Sequence, residues 1–216
     1  MTKSIIVEFS LSDVLPRSFY DRSPLIVGRE IIGKKLIRTF ENGKELSGTI
    51  VEAEAYGGNR DPASHSFRGK TRRNEVMFGE AGHAYVYFTY GFHYCLNFVT
   101  SSKFGKASAI LIRAAEPLTG INFMERQRKT TLITQLASGP GKLCQAFGID
   151  KSQNGIDITR TDSAIRVESS DLNLRVSTSK RIGIRVAIDR RWRFFSTSSP
   201  HVSGGPSSKV RGIRES

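Results

Sequence analysis

Residues 48–66 read GTIVEAEAYGGNRDPASHS, and this stretch joins an alternating strand to a polar loop. Side chains two positions apart share a face of a strand, so Glu52, Glu54 and Tyr56 are predicted to lie together on one side. The other side carries the small apolar residues Val51, Ala53 and Ala55. Two glycines then allow the backbone to turn, and His65 returns in the polar loop. The stretch therefore predicts the edge of a pocket.

A second distinctive stretch, residues 82–100, reads GHAYVYFTYGFHYCLNFVT and contains no Asp, Glu, Lys or Arg. It predicts two strands joined at residues 90–92, with Tyr85 and Tyr87 on one face and Asn97 on the return strand. A buried aromatic hairpin with hydrogen-bonded hydroxyls would give the same pattern, so each tyrosine also has a structural interpretation. Tyr90, beside Gly91, is expected at an exposed tip.

Elsewhere the sequence predicts short elements around these two stretches. Helices are expected at 25–32 with Ser23 as the N-cap, from about 118 to 128, and at 143–147, and strands at 34–40, 107–114, 164–167, 181–186 and 192–195. The motif Glu116-Pro117-Leu118 is expected to end the strand at 107–114. Together these elements predict one α+β domain with a mostly antiparallel, curved sheet, a β-hairpin and flanking helices. We expect an N-terminal arm at 1–18 and a disordered tail at 204–216.

Charge is the strongest compositional feature, because 33 Lys and Arg against 20 Asp and Glu give a net charge of +13. Such a balance favours a polyanionic partner, and nucleic acid comes first. A basic protein without such a partner is the alternative. No apolar run is long enough to cross a bilayer, so we expect an intracellular protein that does not bind a membrane. Two widely spaced cysteines, and no metal-binding motif, argue against a disulfide framework or a metal site.

A carboxylate pair, aromatic side chains and a polyanionic partner suit hydrolysis of an N-glycosidic bond in DNA. A base must leave the stack before a protein reaches its sugar bond, at a cost of a few kcal/mol. Stacking on an aromatic side chain returns about 1–3 kcal/mol per base, and Tyr56 and Tyr87 could supply such contacts. Tyr90 has the size and position to fill the vacated space in the duplex. A carboxylate would then activate water.

Several segments carry a family resemblance between about residues 19 and 203: VEAEAYGG, DPASHSFRGKTRRN, MFGEAGHAYVYFTYGFHYCLN, AILIRAAEP, GPGKLCQAFGI and, less strongly, RIGI and WRFF. The chain resembles the 3-methyladenine (alkyladenine) DNA glycosylases of base excision repair. The resemblance implies a monofunctional enzyme that flips alkylated or deaminated purines out of duplex DNA and leaves an abasic site. It also implies that no metal or cofactor takes part, that water is the nucleophile, and that the protein acts as a monomer on double-stranded DNA inside the cell.

The same resemblance implies a role for each matching residue. Glu54 matches the general base, and Arg113 matches the residue that orients the water and that base. Tyr56, His65 and Tyr87 match residues that enclose the flipped base, and Asn97 matches one that crowds the exocyclic amine of normal guanine. Tyr90 matches the intercalating tyrosine. The remaining DNA-binding positions are Arg72, Arg73, Asn74 and Lys142.

Other interpretations of the carboxylates remain open at this point. Glu52 is one strand position further from the glycine turn, where a salt bridge is expected rather than catalysis. A metal-dependent nuclease could use Glu52, Glu54 and Asp61 as oxygen ligands of Mg²⁺. A non-catalytic binder of damaged or single-stranded DNA could use the tyrosines only for stacking.

Overall fold

One antiparallel sheet of eight strands organises the computed structural model, which describes residues 13–89, 91–101, 103 and 106–204. The strands are β1 (Lys35–Thr39), β2 (Glu45–Tyr56), β3 (Ala84–Thr89), β4 (His93–Val99), β5 (Ala109–Thr119), β6 (Ile165–Glu168), β7 (Val176–Ser179) and β8 (Arg193–Ser196). Their order is β3-β4-β5-β2-β1-β6, and β8 pairs with both β2 and β7. The sheet curls into a half-barrel. The predicted α+β class, the antiparallel sheet and the hairpin of β3 and β4 are confirmed.

Helices cover the apolar face of the sheet. They are α1 (Arg17–Tyr20), α2 (Pro24–Glu30), α3 (Ile121–Arg128), α4 (Ile133–Leu136) and α5 (Pro140–Phe147), with 3₁₀ turns at Gly58–Arg60, Glu75–Phe78 and Lys151–Gln153. The Ser23 hydroxyl accepts a hydrogen bond from the Leu25 amide at 3.3 Å, which confirms the predicted cap of α2. In the described part of the chain, no helix is long and apolar enough to cross a membrane.

Helix α5 begins three residues before the predicted start at 143, because Pro140 occupies its first turn, where a missing N–H costs nothing. A Cβ atom on Gly141 would lie 2.7 Å from the His93 ring, so glycine lets the helix start come close to β4. Leu143, Cys144 and Phe147 of α5 are buried in the main core.

Strand β2 lies at the centre of the sheet and changes partners along its length. One edge pairs with β5 throughout, while the other pairs first with β1 and then, from Glu52 to Glu54, with β8. The register with β5 shifts at this change, so that Val51 and Arg113 have no direct partner in the β2–β5 ladder. Ile50, Ala53 and Ala55 belong to the main core, whereas Val51 is buried outside it. The predicted alternation therefore holds from Glu52 to Tyr56 and breaks at this bulge.

Two strand predictions are wrong. Pro117 does not end β5, which continues to Thr119, because beyond Leu111 β5 no longer pairs with β4 and a proline is tolerated on such an edge. Residues 181–186 form a bent loop, and the strand lies earlier, at β7. The loop is bent because the Arg181 side chain and the Ile182 amide bond to β2 and the following loop instead of to a neighbouring strand.

The described part of the predicted N-terminal arm contacts the sheet. The Leu15 amide donates to the Val167 carbonyl at 2.8 Å, and the Leu15 side chain belongs to the core. Residues 1–12 of the arm, residues 205–216 of the predicted tail and Tyr90 lie outside the described residues. The limits of the predicted domain stay a prediction.

Candidate active site

Glu54 is fully buried, and its carboxylate accepts bonds from three different parts of the fold. The Tyr56 hydroxyl, two residues along β2, donates to Oε2 at 2.9 Å. The Ile182 amide, in the loop after β7, donates to Oε1 at 2.7 Å. Arg113 Nη1, on β5, lies 3.2 Å from Oε2. A buried carboxylate is costly unless it is paired and hydrogen-bonded, and these donors meet both conditions.

Glu52 is also fully buried, but charged groups surround it more completely. Arg113 Nε donates to its Oε1 at 2.8 Å, and Arg193 Nε donates to the same oxygen at 2.6 Å. The Ser203 amide donates to Oε2 at 2.6 Å, and the Ser203 hydroxyl donates to Oε1 at 2.8 Å. The salt bridge predicted for Glu52 is confirmed.

Arg113 joins the two glutamates because the bulge in the β2–β5 ladder directs its side chain toward them. Bulges commonly re-aim a side chain next to an active site. Burial alone would lower the pKa of Arg113, but Glu54 and Glu52 outweigh it and raise the pKa above its ordinary value. The guanidinium therefore stays cationic, and two arginines balance two carboxylates in the buried network.

A second buried ion pair holds the loop that covers Glu54. Arg181 makes two bonds to the Asp61 carboxylate, at 2.5 and 2.9 Å, and donates to the Ala55 carbonyl at 2.9 Å. Its guanidinium also lies over the Tyr56 ring, with the carbon 4.7 Å from the ring centroid. Arg181 therefore fixes both Tyr56 and the adjacent Ile182 amide, which are two of the groups that bond Glu54.

A cavity of about 530 Å³ opens in front of this network. Its lining brings together residues from the three regions that the sequence analysis singled out: Tyr56, His65, Tyr85, Tyr87, Cys95, Asn97 and Arg113. The loop at 182–186 also lines the cavity. The Glu54 carboxylate bonds to Tyr56, Arg113 and Ile182, all three of which line the cavity. The volume lies in the range of sites that hold small organic groups.

Three aromatic side chains form one wall of the cavity. The His65 ring meets the Tyr87 ring edge-on, with centroids 4.5 Å apart, and Tyr85 stacks on Tyr87 at 5.3 Å. His65 Nδ1 lies 3.1 Å from the Tyr85 hydroxyl. Burial and the nearby Arg73 charge lower the pKa of His65, while burial raises the pKa of Tyr85 to about 12. At neutral pH His65 is therefore neutral, and the Tyr85 hydroxyl can donate to Nδ1.

Asn97 and Cys95 lie on β4 and also line the cavity. The Asn97 side-chain amide donates to the Tyr85 carbonyl at 3.0 Å, so its orientation is fixed by the β3–β4 hairpin. Burial raises the pKa of the Cys95 thiol, which keeps it protonated.

The residues predicted to bind DNA have different surroundings. Arg72 and Arg73 are exposed, and Arg73 donates to the Phe88 carbonyl at 3.0 Å next to the hairpin tip. Asn74 is buried, and its side chain bonds the His65 and Gly69 carbonyls, so it shapes the loop that carries His65. Lys142 lies in the first turn of α5, with Nζ 2.8 Å from Gln135 Oε1. Contact of these residues with DNA stays a prediction.

Sequence reasoning missed four parts of the network. They are the Asp61–Arg181 ion pair, the Arg193 side chain, Ser203 and the Ile182 amide. The sequence carried a signal for Arg181, Ile182 and Arg193, since the first two open the RIGI segment and the third lies in WRFF. It carried no signal for Ser203.

Among the described residues, no group of three or more His, Cys, Asp or Glu side chains is arranged to hold a metal ion. Glu52, Glu54 and Asp61, the three carboxylates of the nuclease hypothesis, each lie against an arginine instead. A guanidinium occupies the place that a cation would need.

Comparison with known proteins agrees with this arrangement. The family described as methylpurine-DNA glycosylase (MPG) matches residues 18–200. A protein of Carboxydothermus hydrogenoformans with the provisional name 3-methyladenine DNA glycosylase is 46% identical over 191 residues, which cover 88% of this chain and 98% of that protein. Proteins of the same provisional name from Desulfitobacterium hafniense and Agrobacterium fabrum are 44% and 45% identical, over 88% and 90% of this chain and 98% and 94% of their own lengths. The chain belongs to the methylpurine-DNA glycosylase family.

Proposed function

We propose that this protein, a DNA glycosylase of base excision repair, binds a flipped alkylated or deaminated purine in the cavity and hydrolyses its N-glycosidic bond. Glu54 and Arg113 orient a water molecule, which attacks the anomeric carbon as the base departs, and an abasic site remains. The observation that carries the proposal is the buried Glu54 carboxylate, which bonds to Tyr56 and lies 3.2 Å from Arg113 Nη1, two side chains that line an aromatic cavity.

The charge arrangement suits this reaction. Hydrolysis of a glycosidic bond passes through an oxocarbenium-like transition state, in which positive charge develops on the sugar. A carboxylate held in a fixed direction stabilises that charge and accepts the proton of the attacking water. Arg113 lines the cavity and contacts both glutamates, so it holds Glu54 in place while one face of the guanidinium meets the water.

The aromatic lining suits a purine. Tyr56, His65 and Tyr87 all line the cavity, and a base that stacks on them gains contacts that offset the cost of leaving the helix. Asn97 lines the cavity and is fixed by its bond to the Tyr85 carbonyl, which supports a role in excluding the exocyclic amine of guanine.

Double-stranded DNA is the partner that the net charge of +13 favours. Arg72 is exposed, exposed Arg185 lines the cavity and Lys142 lies in the first turn of α5, so we assign these three to the phosphate backbone. Tyr90 fills the space that the flipped base leaves. We propose that the protein acts as a monomer inside the cell.

The experiment is a single-turnover assay on duplex DNA that carries 3-methyladenine, 7-methylguanine, hypoxanthine or ethenoadenine, in EDTA. We expect release of the free base from at least one lesion and an uncleaved abasic strand. Glu54→Gln should excise about 10²–10⁴-fold more slowly, the usual contribution of a general base. The matched control is Glu80→Gln, because Glu80 is an exposed glutamate that forms an ion pair with Arg17.

The two rival functions predict different results. A metal-dependent nuclease would cut the strand and would lose activity in EDTA. A non-catalytic binder would release no base, and Glu54→Gln would leave its affinity for DNA unchanged. Excision by Glu54→Gln at the parent rate would show that the proposed mechanism is wrong.

A further inference from the structure

The Tyr56 hydroxyl connects the cavity to the buried carboxylate of Glu54. The Tyr56 ring lines the cavity, and its hydroxyl donates to Glu54 Oε2 at 2.9 Å. Burial and the neighbouring Glu54 charge raise the pKa of Tyr56 well above its ordinary value, so the hydroxyl keeps its proton and remains a donor at neutral pH.

The three groups that bond Glu54 are not equivalent. An ionised carboxylate has about four acceptor positions, so the donors determine which position is left for water. The Ile182 donor is a backbone amide, and Arg113 is shared with Glu52 at 2.8 Å. Tyr56 is therefore the donor on Glu54 that combines an uncharged side chain with a direct place in the cavity wall.

Tyr56 is itself held rigidly. The Arg181 guanidinium lies 4.7 Å from the centre of its ring, and Asp61 and the Ala55 carbonyl fix that guanidinium. A ring held in this way presents its hydroxyl to Glu54 in one direction. Preorganised donors of this kind need no rearrangement during the reaction.

We infer that Tyr56 is a positioning residue for Glu54, in addition to a wall for the base: its hydroxyl sets the direction of the carboxylate that orients the water. The inference rests on the proposed function. Tyr56 would then connect base binding to water activation, because the side chain whose ring stacks on the purine also orients the Glu54 carboxylate.

Other charged and titratable groups surround this pair and stay in place when only the hydroxyl is removed. They are Glu52 on β2, Tyr87 on β3, Cys95 on β4, Arg113 on β5, Arg181 in the loop after β7 and Arg193 on β8. His65, which also titrates, contacts Tyr85 and Tyr87 on the other wall.

The test is Tyr56→Phe, which keeps the stacking ring and removes the oxygen. We expect single-turnover excision at neutral pH to fall about tenfold, because a hydrogen bond to a charged group is lost. We also expect the acid limb of the pH–rate profile to move to higher pH, because the ionised carboxylate loses a donor that favours it. A thermal melt checks that the variant folds as the parent does.

The matched control is Tyr87→Phe, which removes a hydroxyl from the same cavity without touching Glu54. The acid limb of the Tyr87→Phe pH–rate profile should lie at the same pH as that of the parent, even if the variant binds the base less well. If Tyr56→Phe kept both the rate and the acid limb of the parent, Tyr56 would only be a stacking surface and the inference would be overturned.

A double variant separates the inference from the proposed function. In the Glu54→Gln background, Tyr56→Phe should lower the excision rate less than twofold, since its action on the carboxylate is already gone. A further tenfold loss in that background would show that the hydroxyl acts elsewhere. Failure of the proposed function gives a different result, because Glu54→Gln alone would then excise at the parent rate.

Discussion

Glu52 and Glu54 lie two residues apart on one strand, share Arg113 and are equally buried, yet their surroundings differ. Glu52 receives two guanidinium groups and both donors of Ser203, so charge and backbone enclose it completely. Glu54 receives a hydroxyl, a backbone amide and a longer contact from Arg113. The comparison teaches that a carboxylate closed in by two guanidinium groups stabilises a fold, whereas one held by two neutral donors and a single, longer arginine contact next to a cavity remains available for chemistry.

The largest expected effect on stability comes from Glu52→Gln. It leaves buried Arg193 without its carboxylate partner and leaves Arg113 with Glu54 as its remaining one. Breaking a buried ion pair in this way costs about 3–5 kcal/mol of unfolding free energy. Urea unfolding should show that loss of free energy. Glu54→Gln should cost less, because Arg113 keeps Glu52. Equal destabilisation by the two variants would remove the distinction between the glutamates.

The next effect concerns the buried Asp61–Arg181 ion pair, which holds the loop whose Ile182 amide bonds Glu54. Although burial acts in the opposite direction, the bonds from Arg181 and from the Gly57 and Ala63 amides lower the pKa of Asp61. A depressed pKa stabilises the fold above the unfolded value of about 3.9, and this contribution is lost as the pH falls through the lower folded value.

Asp61→Asn should therefore reduce stability at neutral pH and flatten the loss of stability below about pH 4. Urea unfolding from pH 3 to 7 measures both changes, and Asp162→Asn, in an exposed pair with Arg160, is the control. We also expect Asp61→Asn to slow excision, because Arg181 positions Tyr56 and Ile182. Normal excision by a destabilised variant would show that the pair serves the fold alone.

A smaller effect is expected for Ser203→Ala. The variant removes the hydroxyl that donates to Glu52 at 2.8 Å but keeps the backbone amide, so about 1.5–3 kcal/mol of unfolding free energy should be lost. Ser169→Ala, at an exposed serine, serves as a comparison for the substitution itself. An unfolding free energy equal to that of the parent would show that the Ser203 hydroxyl adds nothing to the bond that the Ser203 amide donates to Glu52.

The smallest effect concerns the other wall of the cavity. After burial, the Arg73 charge is the second cause that lowers the pKa of His65. Arg73→Gln should therefore raise that pKa, which an NMR titration of the His65 ring protons measures. Arg72→Gln removes the neighbouring exposed charge and should change the His65 pKa less than Arg73→Gln does. A larger change in Arg72→Gln would contradict the conclusion that the Arg73 charge lowers this pKa.

The sequence could predict the parts of the site that depend on local patterns. Alternation placed Glu52, Glu54 and Tyr56 on one face, and the family resemblance paired Arg113 with the general base Glu54. The bulge that aims Arg113 depends on two strands pairing out of register, and the loop at 181–186 was mistaken for a strand because its apolar residues alternate. Its conformation is decided by bonds to Glu54 and Asp61, which are 128 and 120 residues away. No local pattern reports such contacts.

The donors of Glu52 come from positions 61, 141 and 151 residues further along the chain. Contacts between residues so distant in sequence form only after long loops have closed, which is slow and entropically costly. The closed network around Glu52 is therefore expected to assemble late in folding, after the local β3–β4 hairpin, and a chain cut short before Ser203 would lack two of its four donors. Pulse-labelling hydrogen exchange would order these events: early protection of the Ser203 amide would contradict late assembly.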